Sequence, residues 1–256
     1  MVFPLLLEWL LGKYGIETTL RISAVMLFLL AAPLIYWHRP RIPMTVTASQ
    51  HSLNFRFLYN KVYIIYQLGN MMEALGYFLP TIYLPSYARS LGASDFMSSL
   101  TVTLVNLANV FSCVMIGFLT DRFHVTTCLL LSTVGTVISV FFIWGFAVNI
   151  PSLYVFCIAY GLLSGGYSST WSSTSHEIQK ANPKADVAII FGFMEAGRGV
   201  GNVVSGPLSE ALLKADTWRG HAWGSYGSGY GTLVVCTGAT ALLGGFSVLA
   251  RQLKWV

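Results

Sequence analysis

Three charged residues lie deep inside long apolar runs of this chain: Glu73, Glu195 and Arg198. A charge at bilayer depth costs about 2.5–3.5 kcal/mol on insertion scales, so each needs a partner or a water-filled cavity. Arg198 carries a planar fork of donors that takes a carboxylate through two parallel hydrogen bonds. Glu195 precedes it by three residues on the same helix face and is a ready counter-charge. Asn202 and Ser205 continue that face. Such a set can anchor an organic anion, with Glu195, or Glu73 from another helix, taking up a proton when the guanidinium is released. The alternative is a fixed intrahelical pair that only meets another helix. Other polar residues recur at three- and four-residue spacing: Tyr66, Asn70, Glu73 and Tyr77; Thr103, Asn106, Asn109 and Cys113; Tyr160, Ser164, Ser168 and Trp171. For the asparagines and serines, interhelical hydrogen bonding at about 0.6 kcal/mol per contact is an equally good account. The candidate substrate-binding set is therefore Arg198, Glu195, Asn202, Glu73, Asn70, Asn106 and Asn109.

No metal or cofactor is expected. The four cysteines, Cys113, Cys128, Cys157 and Cys236, sit in or beside apolar runs at spacings that fit no zinc site. Enzyme motifs fail at identifiable positions. His176-Glu177-Ile178-Gln179-Lys180 lacks the second histidine of a zinc-protease helix, and Gly197-Arg198-Gly199 meets Asn202 where a third glycine is required. No G-x-S-x-G elbow surrounds any serine.

The elements that position these residues are membrane spans. Of the 256 residues, 55% are hydrophobic and only 10% charged, with a mean hydropathy of +0.64. Soluble domains carry about 25% charged residues. The apolar excess implies a lipid bilayer as partner, and the net charge of +5 is scattered over loops without the basic stripe that nucleic acid requires. Apolar runs at 20–36, 61–83, 98–119, 126–146, 153–171, 187–213 and 230–250 predict seven spanning helices. Residues 1–11 are apolar but too short to span, and read as the tail of a partial leading helix that stops at Gly15. Residues 37–60 form a polar linker. Pro80 and Pro85 are expected to end the second span, and 172–186 to be a polar loop. Gly161-x-x-x-Gly165, Gly197-x-x-x-Gly201 and Gly227-x-x-x-Gly231 predict close helix contacts.

With the linker placed inside, the loops on its side hold Arg39, Arg41, Arg56, Lys61, Arg122, Lys180, Lys184, Arg251 and Lys254. The opposite side holds Lys13, Arg21, Arg89, Lys214 and Arg219. The bias predicts a cytoplasmic linker, 120s turn and C-terminus.

That turn carries a recognisable pattern. Gly117-Phe118-Leu119-Thr120-Asp121-Arg122-Phe123 resembles the G-x-L-x-D-R-x loop signature of the major facilitator superfamily. The family continues with glycine and basic residues, whereas His124-Val125-Thr126-Thr127 follows here, which suits the weaker copy of the second half. A glycine-rich run from Phe191 to Leu208, ending in Ser205-Gly206-Pro207, is similar to the monocarboxylate-transporter-like facilitators of fungi. The resemblance implies an all-α membrane protein: seven transmembrane helices plus a partial leading helix, the last six forming the C-terminal bundle of a major facilitator fold. Residues 1–36 would then be a partial helix 5 and helix 6, residues 37–60 the central linker and 61–256 the C-terminal bundle. It implies a secondary transporter, a fragment, that moves a small organic anion such as a monocarboxylate. Protons are the expected coupling partner, and the missing N-terminal half or a second copy the expected protein partner. Gly117, Asp121 and Arg122 would act as a gating turn, in a protein of the plasma membrane. Asp121 can also accept backbone N–H groups at the next helix start, or simply serve as loop polarity. The rival function is a non-transporting multi-span protein, structural or a channel.

Overall fold

The computed structural model describes residues 2–37, 55–215 and 218–248. The chain divides into two compact units, Met1–Leu53 and Asn54–Val256. All regular structure among the described residues is helical.

In the first unit, α1 spans Val2–Trp37 and breaks at Gly15, whose φ of 74° lies in the left-handed region. That conformation is open to glycine at no steric cost, so the expected stop is a kink. The 38–54 part of the expected linker lies outside the described residues.

The second unit starts with a 3-10 turn at Phe55–Tyr59. Its Phe57 is buried with its ring against Tyr63 and Phe193. Seven helices follow: α2 (Lys61–Ser90), α3 (Asp95–Arg122), α4 (Val125–Ile138), α5 (Ile150–Ser164), α6 (Trp171–Ala181), α7 (Val187–Ala215) and α8 (Gly231–Gly244). Polar residues set the starts. Asn60 accepts from Val62 N–H at 2.8 Å, Ser94 caps α3, and Asp186 accepts from Ala188 N–H at 2.8 Å. Gly92, at φ 86°, closes the turn after α2.

Six segments among the described residues are long and apolar enough to cross a bilayer: Trp9–Trp37, Asp95–Arg122, Val125–Trp144, Ile150–Ala181, Val187–Ala215 and Gly231–Val248. The seventh expected span is α2. Its 30 residues give about 45 Å at 1.5 Å per residue, long enough to cross. It is less apolar because Asn70 and Glu73 sit on its buried face. Phe111, Val114, Phe142, Val155 and Phe246 are exposed, as lipid-facing side chains are.

Several expected boundaries move. Pro80 and Pro85 lie inside α2, which runs on to Ser90. Side-chain bonds add to the turn before Pro80: Tyr160 Oη donates to the Tyr77 carbonyl at 3.1 Å and Thr81 Oγ1 to the Phe78 carbonyl at 2.8 Å. Asp121 and Arg122 are the last residues of α3 rather than a turn. The cap of α4 is His124, whose Nδ1 accepts from Thr126 N–H. The expected polar loop after residue 171 is the helix α6, with Ile178 buried on its inner side.

Along α2 the interior has two apolar ends and a polar middle. Leu79, Tyr87, Trp144, Phe156 and Leu233 pack at one end. Tyr63, Tyr66, Trp171, Ile190 and Met194 pack at the other. Asn70 and Glu73 fall between them.

Candidate substrate site

α2 and α7 are zipped together by three polar contacts. Gln67 Nε2 donates to the Phe193 carbonyl at 3.0 Å, and Asn70 Nδ2 to the Met194 carbonyl at 2.7 Å. Arg198 Nη1 meets Glu73 Oε2 at 2.5 Å. Glycines bring the backbones close enough. A Cβ on Gly197 would overlap Gln67, and one on Gly201 would sit 2.7 Å from the Met71 carbonyl and 2.9 Å from Ala74 Cβ. Gly161 and Gly165 do the same for α3, lying against the Val105 carbonyl and Asn109. Gly227 and Gly231 do not join two helices: their neighbours are Ala222 and Tyr226, within the local turn that starts α8.

The partner of Arg198 is thus Glu73 from α2 and not Glu195 of its own helix. Glu195 is exposed on α7 and makes no ion pair among the described residues. Around the pair, aromatic rings close in. The guanidinium carbon lies 5.0 Å from the Tyr77 ring centre and 5.7 Å from that of Trp171, positions that add cation–π attraction. Tyr77 stacks on Tyr160 at 6.2 Å and accepts from Asn109 Nδ2 at 3.1 Å. The site therefore draws on α2, α3, α5, α6 and α7.

The asparagines divide. Asn70 and Asn109 join the cluster. Asn106 donates to the Val102 carbonyl of its own helix at 2.9 Å and stands apart. Asn202 is half-buried, and its Oδ1 has no partner among the described residues. Gln67 completes the face that Asn70 and Glu73 occupy. It lies three residues before Asn70, so the helical spacing marked it as strongly as its neighbours.

Where α3 gives way to the turn into α4, Asp121 is exposed and makes no ion pair among the described residues. The Arg122 guanidinium lies over the Phe118 ring at 4.3 Å. The contact that ties this turn to a neighbouring element comes from His124, whose Nε2 is 3.8 Å from Glu177 Oε1 on α6; Lys180 Nζ meets the same oxygen at 2.8 Å.

A family described as the Major Facilitator Superfamily matches residues 66–238, the stretch from α2 into α8 that builds this site. The chain belongs to that superfamily. It is a multi-pass integral membrane protein. Among curated relatives, it is 26% identical to the MFS transporter asaE of Aspergillus flavus over 84% of this chain and 48% of the relative. It is 25% identical to the agnestins efflux protein AgnL12 of Paecilomyces divaricatus over 99% of this chain and 55% of the relative. A shorter match, 25% over 48% of this chain and 27% of the relative, is to monocarboxylate transporter 4 of Gallus gallus. The chain spans about half the length of the fungal relatives.

Proposed function

We propose that the chain forms one bundle of a secondary transporter that moves a small organic anion, such as a monocarboxylate, across the plasma membrane with a proton. The observation that carries this reading is the interhelical Arg198–Glu73 pair, set among Tyr77, Trp171 and Asn109. Two opposite charges that only neutralised each other would bring little, since a well-packed apolar pair is often as stable. The pair becomes useful if a substrate carboxylate can replace Glu73 on the guanidinium. Arg198 meets Glu73 through Nη1, and a guanidinium has five donors, so its fork has capacity for an incoming carboxylate. The partial likeness to a protein named as a monocarboxylate transporter supports the substrate class.

The exchange requires Glu73 to lose its charge when the substrate binds. A proton does this, so proton and anion travel together and the site is electrically balanced in both states. Alternating access then rocks this bundle against a second one, an N-terminal half or another copy. Gly117, Asp121 and Arg122 form the gating end of α3, and Glu195 on the exposed face of α7 is left for that second bundle.

Arg198→Lys tests the anchor. It keeps the charge but loses the fork, so affinity for an organic anion in the complete transporter should fall about tenfold or more, or 1.4 kcal/mol, while membrane insertion is retained. Undiminished affinity in Arg198→Lys would remove the anchor.

A further inference from the structure

Glu73 uses one oxygen and keeps the other. Oε2 faces Arg198, whereas Oε1 is buried and makes no hydrogen bond. Beside this residue lie two adjoining cavities of about 10 Å³ each, room for about one water apiece. Both are bounded by Glu73, Thr136, Ser164 and Ala241; Ser132 and Tyr167 also line one, and Tyr77, Tyr160 and Thr237 the other. They are formed by α2, α4, α5, α8 and the 3-10 turn at Gly165–Thr170, and Arg198 and Trp171 are not among the residues that bound them.

Three of the hydroxyls that bound this space have spent their protons elsewhere. Ser132 donates to the Leu163 carbonyl, Ser164 to the Tyr160 carbonyl at 2.6 Å, and Tyr160 to the Tyr77 carbonyl at 3.1 Å. A hydroxyl has one proton and two lone pairs, so each turns only acceptor capacity inward. Thr237 Oγ1 is buried with no partner, and no hydroxyl donates to Glu73 Oε1. An ionised Glu73 thus adds a bare acceptor, Oε1, to this ring of three spent hydroxyls, which is a mismatch. A protonated Glu73 offers an O–H donor to the same ring, which is a match.

We propose that this cavity is the acceptor cage for the coupling proton. The proton binds Oε1, the new O–H donates directly or through one water to Ser164 or Thr136, and the carboxyl passes from charge −1 to 0. Oε2 is then a neutral carbonyl oxygen, and its bond to Arg198 loses the ion-pair attraction. Arg198 keeps its charge and is released. The proton thus goes to Glu73 and the anion takes the place of Glu73 on Arg198, so neither displaces the other. This rests on the exchange mechanism proposed above, with the cage supplying the site of its proton. The titratable or charged groups facing Glu73 are Arg198 from α7, Tyr77 from α2, Tyr160 from α5 and Tyr167 from the 3-10 turn at Gly165–Thr170. α3 brings Asn109 and Cys113 only as far as Tyr77, α6 brings Trp171, and α4 and α8 bring hydroxyls and Ala241.

Infrared titration of the full chain in lipid nanodiscs, in sodium-free choline chloride, tests the cage. Acidification should raise the C=O stretch of a protonated carboxyl that is absent in Glu73→Gln. In the double variant Thr136→Val/Ser164→Ala the midpoint should fall by about one pH unit, tenfold in proton concentration, because the neutral acid has lost its acceptors. A titrating band that survives in Glu73→Gln, or a midpoint unmoved by the double variant, would overturn the proposal. So would a midpoint that shifts when sodium replaces choline, since the same oxygens would then be holding a metal cation. Added benzoate, as an anion probe, reports separately: a band that ignores it counts against the Arg198 exchange and leaves the cage standing.

Discussion

Arg198 reaches across to Glu73 because helix rotation decides which neighbour a charge meets. Glu195 is three residues away on the same helix, about 60° around it at 3.6 residues per turn, and that rotation is enough to leave it exposed. Sequence spacing identified all three intramembrane charges and the Asn70–Glu73–Tyr77 face of α2. It had no means of fixing the angle at which α7 faces α2, and so gave Arg198 the counter-charge Glu195, where the structure gives it Glu73. Asn106 shows the same limit: it shares a face with Asn109 on paper, yet bonds its own helix at Val102. The cavity hydroxyls Thr136 and Thr237 were not legible at all, since an isolated threonine in an apolar run carries no spacing signal. Asp121 belongs to this scale too. Its motif resemblance marks it as part of a gate, while its carboxylate stands exposed beside the His124–Glu177 contact. Asp121→Asn should insert normally but slow transport several-fold at equal surface expression, and an unchanged rate would count against a gating role.

The helices carry a different lesson. Their existence and approximate limits followed from the length of the apolar runs, because a bilayer forces every backbone group into an internal hydrogen bond. Their ends did not. Pro80 and Pro85 look like stops, yet the helix continues through both to Ser90. Glycine pairs at four-residue spacing correctly marked the α2–α7 and α3–α5 approaches, whereas Gly227 and Gly231 merely build a turn. The distinction lies in what a side chain would strike. A Cβ on Gly201 meets backbone and Ala74 at under 3 Å, while one on Gly199 meets nothing within 4 Å. Gly201→Ala should therefore destabilise the protein by about 1–3 kcal/mol through overpacking, lowering its thermal midpoint in detergent, with Gly199→Ala close to wild type. Equal midpoints for the two variants would show that the α2–α7 contact is looser than these distances indicate.

At the scale of the whole molecule, superfamily membership and the six apolar helices agree with the architecture expected from the sequence. The chain covers about half of its fungal relatives, and rocking about a central site needs two bundles. Transport by this bundle is accordingly proposed for an assembly with a second one. Within it, Arg198 and Glu73 lie at similar depths on two helices that run the same way. Each sits about 16–18 Å from its helix start at 1.5 Å per residue, well inside a hydrocarbon core of about 30 Å. The most direct test is uptake of a panel of radiolabelled monocarboxylates into vesicles that hold the complete two-bundle transporter, under an inward proton gradient. The account predicts accumulation of at least one of them that collapses with a protonophore and is lost in Arg198→Ala. Flux indifferent to both the gradient and Arg198→Ala, or robust uptake by a monomer of this chain alone, would contradict it.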